Sequence, residues 1–283
     1  MAESSALGDW FKTLPQYLIP QHLLSRVVFK LSHWQLGFLT HWLIKRFILH
    51  YEVDMTLAQS PDVRDYANFN QFFTRALKPT VRPLAKAPLI CPVDGEISQL
   101  GQIKQQQLYQ AKGHFFQLTD LLGGDIATAF QNGSFCTIYL SPKDYHRIHM
   151  PITGQLKKMI YLPGRLFSVN QRTTNVVSNL FARNERVVCL FATELGPVAL
   201  ILVGAIFVGS IETVWAGTLT PPYLSRPQHW HYSAETTPIL AQGSEMGRFN
   251  MGSTVIMLTG NETVSWLSTL ASKDKVYMGQ ALS

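Results

Sequence analysis

Near the C-terminus, the run Arg248-Phe-Asn-Met-Gly-Ser-Thr-Val-Ile-Met257 is strand-like except at its Gly252-Ser253 step. Gly before Ser in such a run commonly marks a bulge or a tight bend. The same pair also carries a specific reactivity. A Ser hydroxyl lies beside the carbonyl of the residue before it, and attacks it when a base takes the proton and the backbone bends Oγ over the carbon. Gly252, which has no Cβ, permits that bend. The resulting ester can eliminate across Cα and Cβ to a dehydroalanine, which hydrolyses to a pyruvoyl group and ammonia. The chain is then cut, and its new N-terminus is an electrophilic ketone.

Such chemistry needs a base. Asp144-Tyr-His-Arg-Ile-His149 places two imidazoles, His146 and His149, three residues apart after a strand-like run. Imidazole titrates nearest neutrality, so a pair beside a scissile peptide can act as base and acid. Asp94, in Pro92-Val-Asp-Gly95, is either an ordinary Asx turn or a carboxylate that orients a His, as in a Ser-His-Asp arrangement. Satisfied core or surface histidines are the plain alternative for His146 and His149. Asp94, His146 and His149 also make a plausible ligand set for a zinc-dependent hydrolase. That alternative leaves the Gly252-Ser253 step without a purpose.

Met251-Gly-Ser-Thr254 resembles the Leu-Gly-Ser-Thr signature of the phosphatidylserine decarboxylases, with Met in place of Leu at similar volume. Phe69-Asn-Gln-Phe-Phe73, Pro92-Val-Asp-Gly95, the stretch from Tyr139 to Pro151 and the stretch from Gly209 to Thr218 are similar to segments of the bacterial membrane-associated members. The likeness runs from about Gln16 to the last residues. It implies a covalent pyruvoyl cofactor derived from Ser253, which forms a Schiff base with phosphatidylserine and yields phosphatidylethanolamine and carbon dioxide. It implies self-cleavage between Gly252 and Ser253 into a β chain, 1–252, and an α chain, 253–283. In that scheme Asp94 orients His149, His149 activates Ser253, and His146 handles a proton during decarboxylation. The resemblance also implies a homodimer and calls for no metal. Thr254, Lys143, Arg147 and Arg248 are secondary candidates, the three cations for a lipid phosphate, although solvated cations are the commoner finding.

These residues need a frame. The 283 residues suffice for one large domain or a domain with an appendage. Hydrophobic residues at 46% against 15% charged describe a folded chain with an apolar surface somewhere. The net charge of +6 and pI near 9.2 suit an anionic partner, and composition alone leaves nucleic acid and an acidic membrane face both open. The resemblance points to the membrane and away from nucleic acid. Cys91, Cys136 and Cys189, odd in number and set in apolar stretches, indicate buried thiols rather than a disulfide framework or a Cys-based metal site. With no positive segment in residues 1–8, the expectation is a peripheral protein on the cytoplasmic side of the cell membrane.

From Pro20 the pattern is helical. Leu23, Val27, Leu31 and Trp34 share one face, while His22, Arg26, Lys30 and His33 share another. Residues 20–50 hold no Asp or Glu, and the stretch Trp34 to Leu49 is rich in Trp, Phe and Leu yet too short and interrupted to span a bilayer. One reading is helices packed on the main domain, and the other is helices lying in the membrane interface. The lack of acids favours the interface. The stretch Asp62 to Ala76 reads as a further helix, and Lys78-Pro-Thr-Val-Arg-Pro83 as a linker. Beyond Leu89, apolar β-branched runs such as 135–140, 187–192, 198–203 and 254–258 read as strands. The expected fold class is α+β: an N-terminal helical membrane-docking region with its linker, 1–84, and a β-dominated catalytic domain, 85–283.

Overall fold

The computed structural model describes residues 6–207, 210–233, 237, 239–250, 253–260 and 264–283, apart from the side chains of residues 6, 7 and 125. Met251 and Gly252, with the N-terminal side of the expected cleavage site, lie outside the described residues.

The fold is mixed and β-dominated behind N-terminal helices. Among the described residues a nine-stranded sheet runs in the order 228–231, 154–162, 186–193, 196–203, 253–259, 134–140, 95–102 and 275–276, with 239–240 also paired to 154–162. Every pairing in it is antiparallel. The strand Ser253–Thr259 lies inside the sheet, between Gly196–Val203 and Ser134–Leu140, and each of its residues is buried. That burial explains its sequence, since a strand covered on both faces reads as a continuous apolar run. Val255 and Met257 enter one core cluster, while Ile256 and Leu258 enter the cluster on the other face. The four strand runs expected from the sequence are the four central strands.

A four-stranded sheet, ordered 217–218, 211–213, 245–249 and 147–149, packs against the first of these clusters through Ile148, Ile211, Met246 and Phe249. It carries the strand leading toward the expected cleavage site and the strand holding His149.

The helices are α1 (Ala6–Thr13), α2 (Pro15–Leu18), α3 (Gln21–His33), α4 (Phe38–Tyr51) and α5 (Phe69–Phe73). The apolar face of α3 is turned outward: Leu23, Val27, Leu31 and Trp34 are 45–59% exposed. What faces the β domain is small and polar. The Gln21 side chain accepts from Leu166 N at 2.9 Å, and Ser25 Oγ accepts from Phe207 N at 3.2 Å. Gly37, at φ +55°, turns the chain between α3 and α4 in a conformation that disfavours a side chain. Phe38, Trp42 and Leu49 on α4 are also exposed. Among the described residues no helix is long and apolar enough to cross a membrane.

The expected helix from Asp62 to Ala76 is broken into a 3-10 turn at Val63–Asp65 and the short α5. The reason is local. Asp62 and Asn68 each accept a backbone N–H, from Arg64 and Gln71, and so start two separate turns. α5 packs with α4 in a small core of Ile44, Val53, Tyr66 and Phe72.

Candidate active site

Ser253 opens the central strand, paired with Leu140, and is 0% exposed. Its side chain lies on the sheet face that carries Val255 and Met257, toward the smaller sheet, because side chains alternate along a strand. Among the described residues its Oγ has no hydrogen-bond partner, and neither has Oγ1 of Thr254. An unpaired buried hydroxyl costs about 1–3 kcal/mol. Here it is the hydroxyl expected to act as the nucleophile, and no described residue engages it.

His146 is likewise 0% exposed. Its Nδ1 lies 2.8 Å from the Asp144 carbonyl, which can only accept, so Nδ1 carries the proton and Nε2 the lone pair. Nε2 has no partner among the described residues. The Phe73 ring of α5 lies against the imidazole at 4.2 Å. Burial pushes the His146 pKa down to about 3, with nearby Arg75 adding to the fall and the Asp144 carbonyl opposing it. The ring is therefore neutral, with the Nε2 lone pair unengaged among the described residues.

His149 is fully engaged. Its Nδ1 donates to the Gly243 carbonyl at 2.8 Å, and its Nε2 accepts from the Tyr145 hydroxyl at 2.9 Å. Burial lowers its pKa, and the Gly243 carbonyl together with the charges of Glu245 and Asp94 opposes that fall. Asp94 sits in a turn whose Pro92 carbonyl accepts the His149 backbone N–H at 2.8 Å. The turn must hug the sheet: a Cβ on Gly95 would lie 2.5 Å from the Tyr139 carbonyl oxygen.

The Asp94 carboxylate accepts from Arg82 Nε at 2.9 and 3.1 Å, from Arg82 Nη2 at 2.5 Å, and from Met278 N at 2.8 Å. The structure thus gathers Asp94 and His149 at adjoining backbone positions but joins Asp94, His149 and Ser253 by no side-chain hydrogen bond. The tautomer-fixing bond expected from Asp94 comes from Gly243.

Two secondary candidates are already neutralised. Arg147 pairs with Glu245 at 2.9 Å, and Arg248 pairs with Glu245 at 2.9 Å and Glu212 at 3.6 Å. Among the described residues no group of three or more His, Cys, Asp or Glu could hold a metal ion, so the zinc alternative lacks a ligand set. Cys91, Cys136 and Cys189 are buried free thiols, as their apolar settings indicate.

Sequence reasoning did not single out Arg82, Tyr145, Phe73, Asn70 or Asn250. The signals were present for some of them. Phe73 and Asn70 belong to the Phe69–Phe73 segment already noted, and Tyr145 lies in the Asp144–His149 segment that supplies both candidate histidines.

Beside the site a cavity of about 690 Å³ opens between the helices and the sheet, lined by Val28, Phe47, Phe73, Tyr139, Leu140 and Phe207 among others. Leu140 is the strand partner of Ser253 and Phe73 covers His146, so the cavity shares two walls with the site.

The family model described as phosphatidylserine decarboxylase matches residues 69–283, and one described as PSD matches residues 11–52. The chain is 50% identical to the phosphatidylserine decarboxylase proenzyme of Acidovorax ebreus (strain TPSY), over 98% of each chain. To the proenzyme of the same description in Ectopseudomonas mendocina (strain ymp) it is 54% identical, over 95% of this chain and 96% of that one. To that of Delftia acidovorans it is 55% identical over 89% of each. The chain belongs to the phosphatidylserine decarboxylase family, and with that membership it is a decarboxylase made as a proenzyme.

Proposed function

We propose that the chain cuts itself between Gly252 and Ser253 and uses the resulting pyruvoyl group to convert phosphatidylserine to phosphatidylethanolamine and carbon dioxide. The observation that carries this reading is Ser253, buried at the mouth of a central strand with no partner for its hydroxyl among the described residues. By its sequence, the neighbouring Gly252 suits the bend that the attack requires.

In the proposed maturation, Ser253 Oγ bonds to the Gly252 carbonyl carbon, the peptide C–N bond breaks, and the serine proton passes through His149 to the departing amine. Loss of the Ser253 α-proton then expels the Gly252 carboxylate. The dehydroalanine left behind takes up water and releases ammonia. For this His149 Nε2 exchanges the Tyr145 hydroxyl for that of Ser253, while Asp94 supplies negative charge beside the ring and favours the imidazolium. A pyruvoyl ketone formed from Ser253 would supply an electron sink for the pair released from the amine-linked substrate as carbon dioxide leaves. The proposal assigns His146, which is neutral and has no Nε2 partner among the described residues, the movement of a proton in that reaction.

The apolar cavity suits an acyl chain, and the exposed Leu23, Val27 and Leu31 of α3, Trp34 after it and Phe38 and Trp42 of α4, with the basic side chains around them, suit an anionic membrane surface. We accordingly propose a peripheral homodimer on the inner face of the cell membrane, with residues 1–84 as the docking region and 85–283 as the catalytic domain.

Intact-mass analysis tests the reading. The purified chain is expected as two fragments, 1–252 and 253–283, the smaller without a free α-amino group, and Ser253→Ala is expected uncut and inactive. An unbroken chain with full decarboxylase activity overturns it.

A further inference from the structure

The segment entering the cleavage site is held by side-chain amides from distant parts of the chain. Asn250, three residues before Ser253, is 3% exposed. Its backbone N donates to the Ser210 carbonyl at 3.0 Å, and its Nδ2 donates to Ser210 Oγ at 2.7 Å. Its Oδ1 accepts from Nδ2 of Asn70, on α5, at 3.2 Å. One residue earlier, Phe249 N donates to the His146 carbonyl at 3.0 Å. On the far side of the scissile bond, the strand ladder holds Ser253 against Leu140. The bond to be cut therefore lies between two anchored points.

Segment 70–75 is fastened to the same site at three further places. The Phe73 ring covers His146, the Thr74 carbonyl accepts from Arg147 Nε at 2.9 Å, and Arg75 Nη2 donates to the Lys143 carbonyl at 3.1 Å. A short segment of the helical region thus touches Asn250 before the cut, the His146 imidazole, and Lys143 and Arg147 on either side of it.

We propose that Asn250 is a positioning residue for self-cleavage, and that its bond to Asn70 makes cutting depend on the docking of α5. The inference deepens the proposed maturation and rests on it. An attack by Oγ on the adjoining carbonyl is an intramolecular reaction, and its rate depends on how closely the approach is held. The amide of Asn250 restricts the backbone ahead of the carbonyl, and Asn70 completes that restraint only when α5 is in place. A chain whose helical region has not assembled on the β domain then matures slowly, so the cofactor forms in correctly folded molecules.

The test uses the full-length chain, following cleavage with time after synthesis for Asn250→Ala, Asn70→Ala and the double variant. Each single substitution is expected to slow cleavage about tenfold to a hundredfold, the loss that misplacing reacting groups brings. Because the two residues share one bond, the double variant is expected to be cut no more slowly than the slower single one. Hydroxylamine, which cleaves an accumulated ester, is expected not to restore the rate, since the slowed step precedes the ester. Decarboxylase activity per cut chain is expected to match the wild type.

Wild-type cleavage in Asn250→Ala, multiplicative losses in the double variant, or rescue by hydroxylamine would each overturn the proposal. Should Asn250→Ala fail to fold in a Ser253→Ala background, Asn70→Asp decides alone. It replaces one NH2 by an oxygen facing Asn250 Oδ1 and must slow cleavage. A wild-type chain that is never cut refutes the proposed maturation itself, a different outcome from all of these.

Discussion

The buried imidazole of His146 has a consequence for acid stability that can be measured apart from catalysis. Folded, the ring titrates at about 3, because burial excludes the charged form. Unfolded, it titrates at about 6.5. Between those values the unfolded chain binds more protons than the folded one, so stability rises with pH and falls as acid is added. About pH 5 lies roughly 1.5 units below the unfolded pKa and above the folded one, so at about 1.36 kcal/mol per unit His146 removes about 2 kcal/mol relative to neutral pH. The cleavage-blocked chain Ser253→Ala, with and without His146→Gln, isolates this contribution by urea denaturation at several pH values. His22 and His149, whose pKa values are also lowered by burial, are present in both chains and cancel. The His146→Gln chain is expected to lose about 2 kcal/mol less on going to about pH 5. Parallel stability curves for the two chains would refute the claim that His146 is held neutral.

Two further perturbations address the neighbours of the proposed triad. Arg82→Met leaves the Asp94 carboxylate with only the Met278 N–H among its observed donors, and a loss of about 3–5 kcal/mol in urea stability is expected, part of it recovered when Asp94→Asn is added. No recovery in the double variant would show that the pair does not act as a unit. Tyr145→Phe removes the O–H that stabilises the neutral form of His149, so the His149 pKa rises and the acid limb of the self-cleavage rate moves to higher pH. An unmoved limb would show that Tyr145 does not govern the base.

The central sheet was legible because its strands are buried on both faces, which leaves a continuous apolar β-branched signature in 135–140, 187–192, 198–203 and 254–258. The apolar face of α3 was legible too, although periodicity alone could not say which way it turns; Gln21 and Ser25 decide that by meeting backbone donors of the β domain. The helix expected over 62–76 failed because capping by Asp62 and Asn68 outweighed periodicity. In the site, reactive residue types could be found from their chemistry, but their partners could not. Arg82 sits in what reads as a linker, and only tertiary folding brings it to Asp94; Asn70 and Asn250 are 180 positions apart.

What the sequence could not reveal at all is which polar atoms remain unpaired. Among the described residues Ser253 Oγ and His146 Nε2 are buried without partners, while His149 and Asp94, the expected base and its orienting acid, are saturated. A fold retains such unpaired atoms at a cost of about 1–3 kcal/mol each, and unrelieved costs of this kind concentrate where chemistry needs a donor or acceptor left free. In the proposed maturation Ser253 Oγ meets no competing partner among the described residues, whereas His149 has first to give up the Tyr145 hydroxyl, so release of that bond is a step the proposal requires.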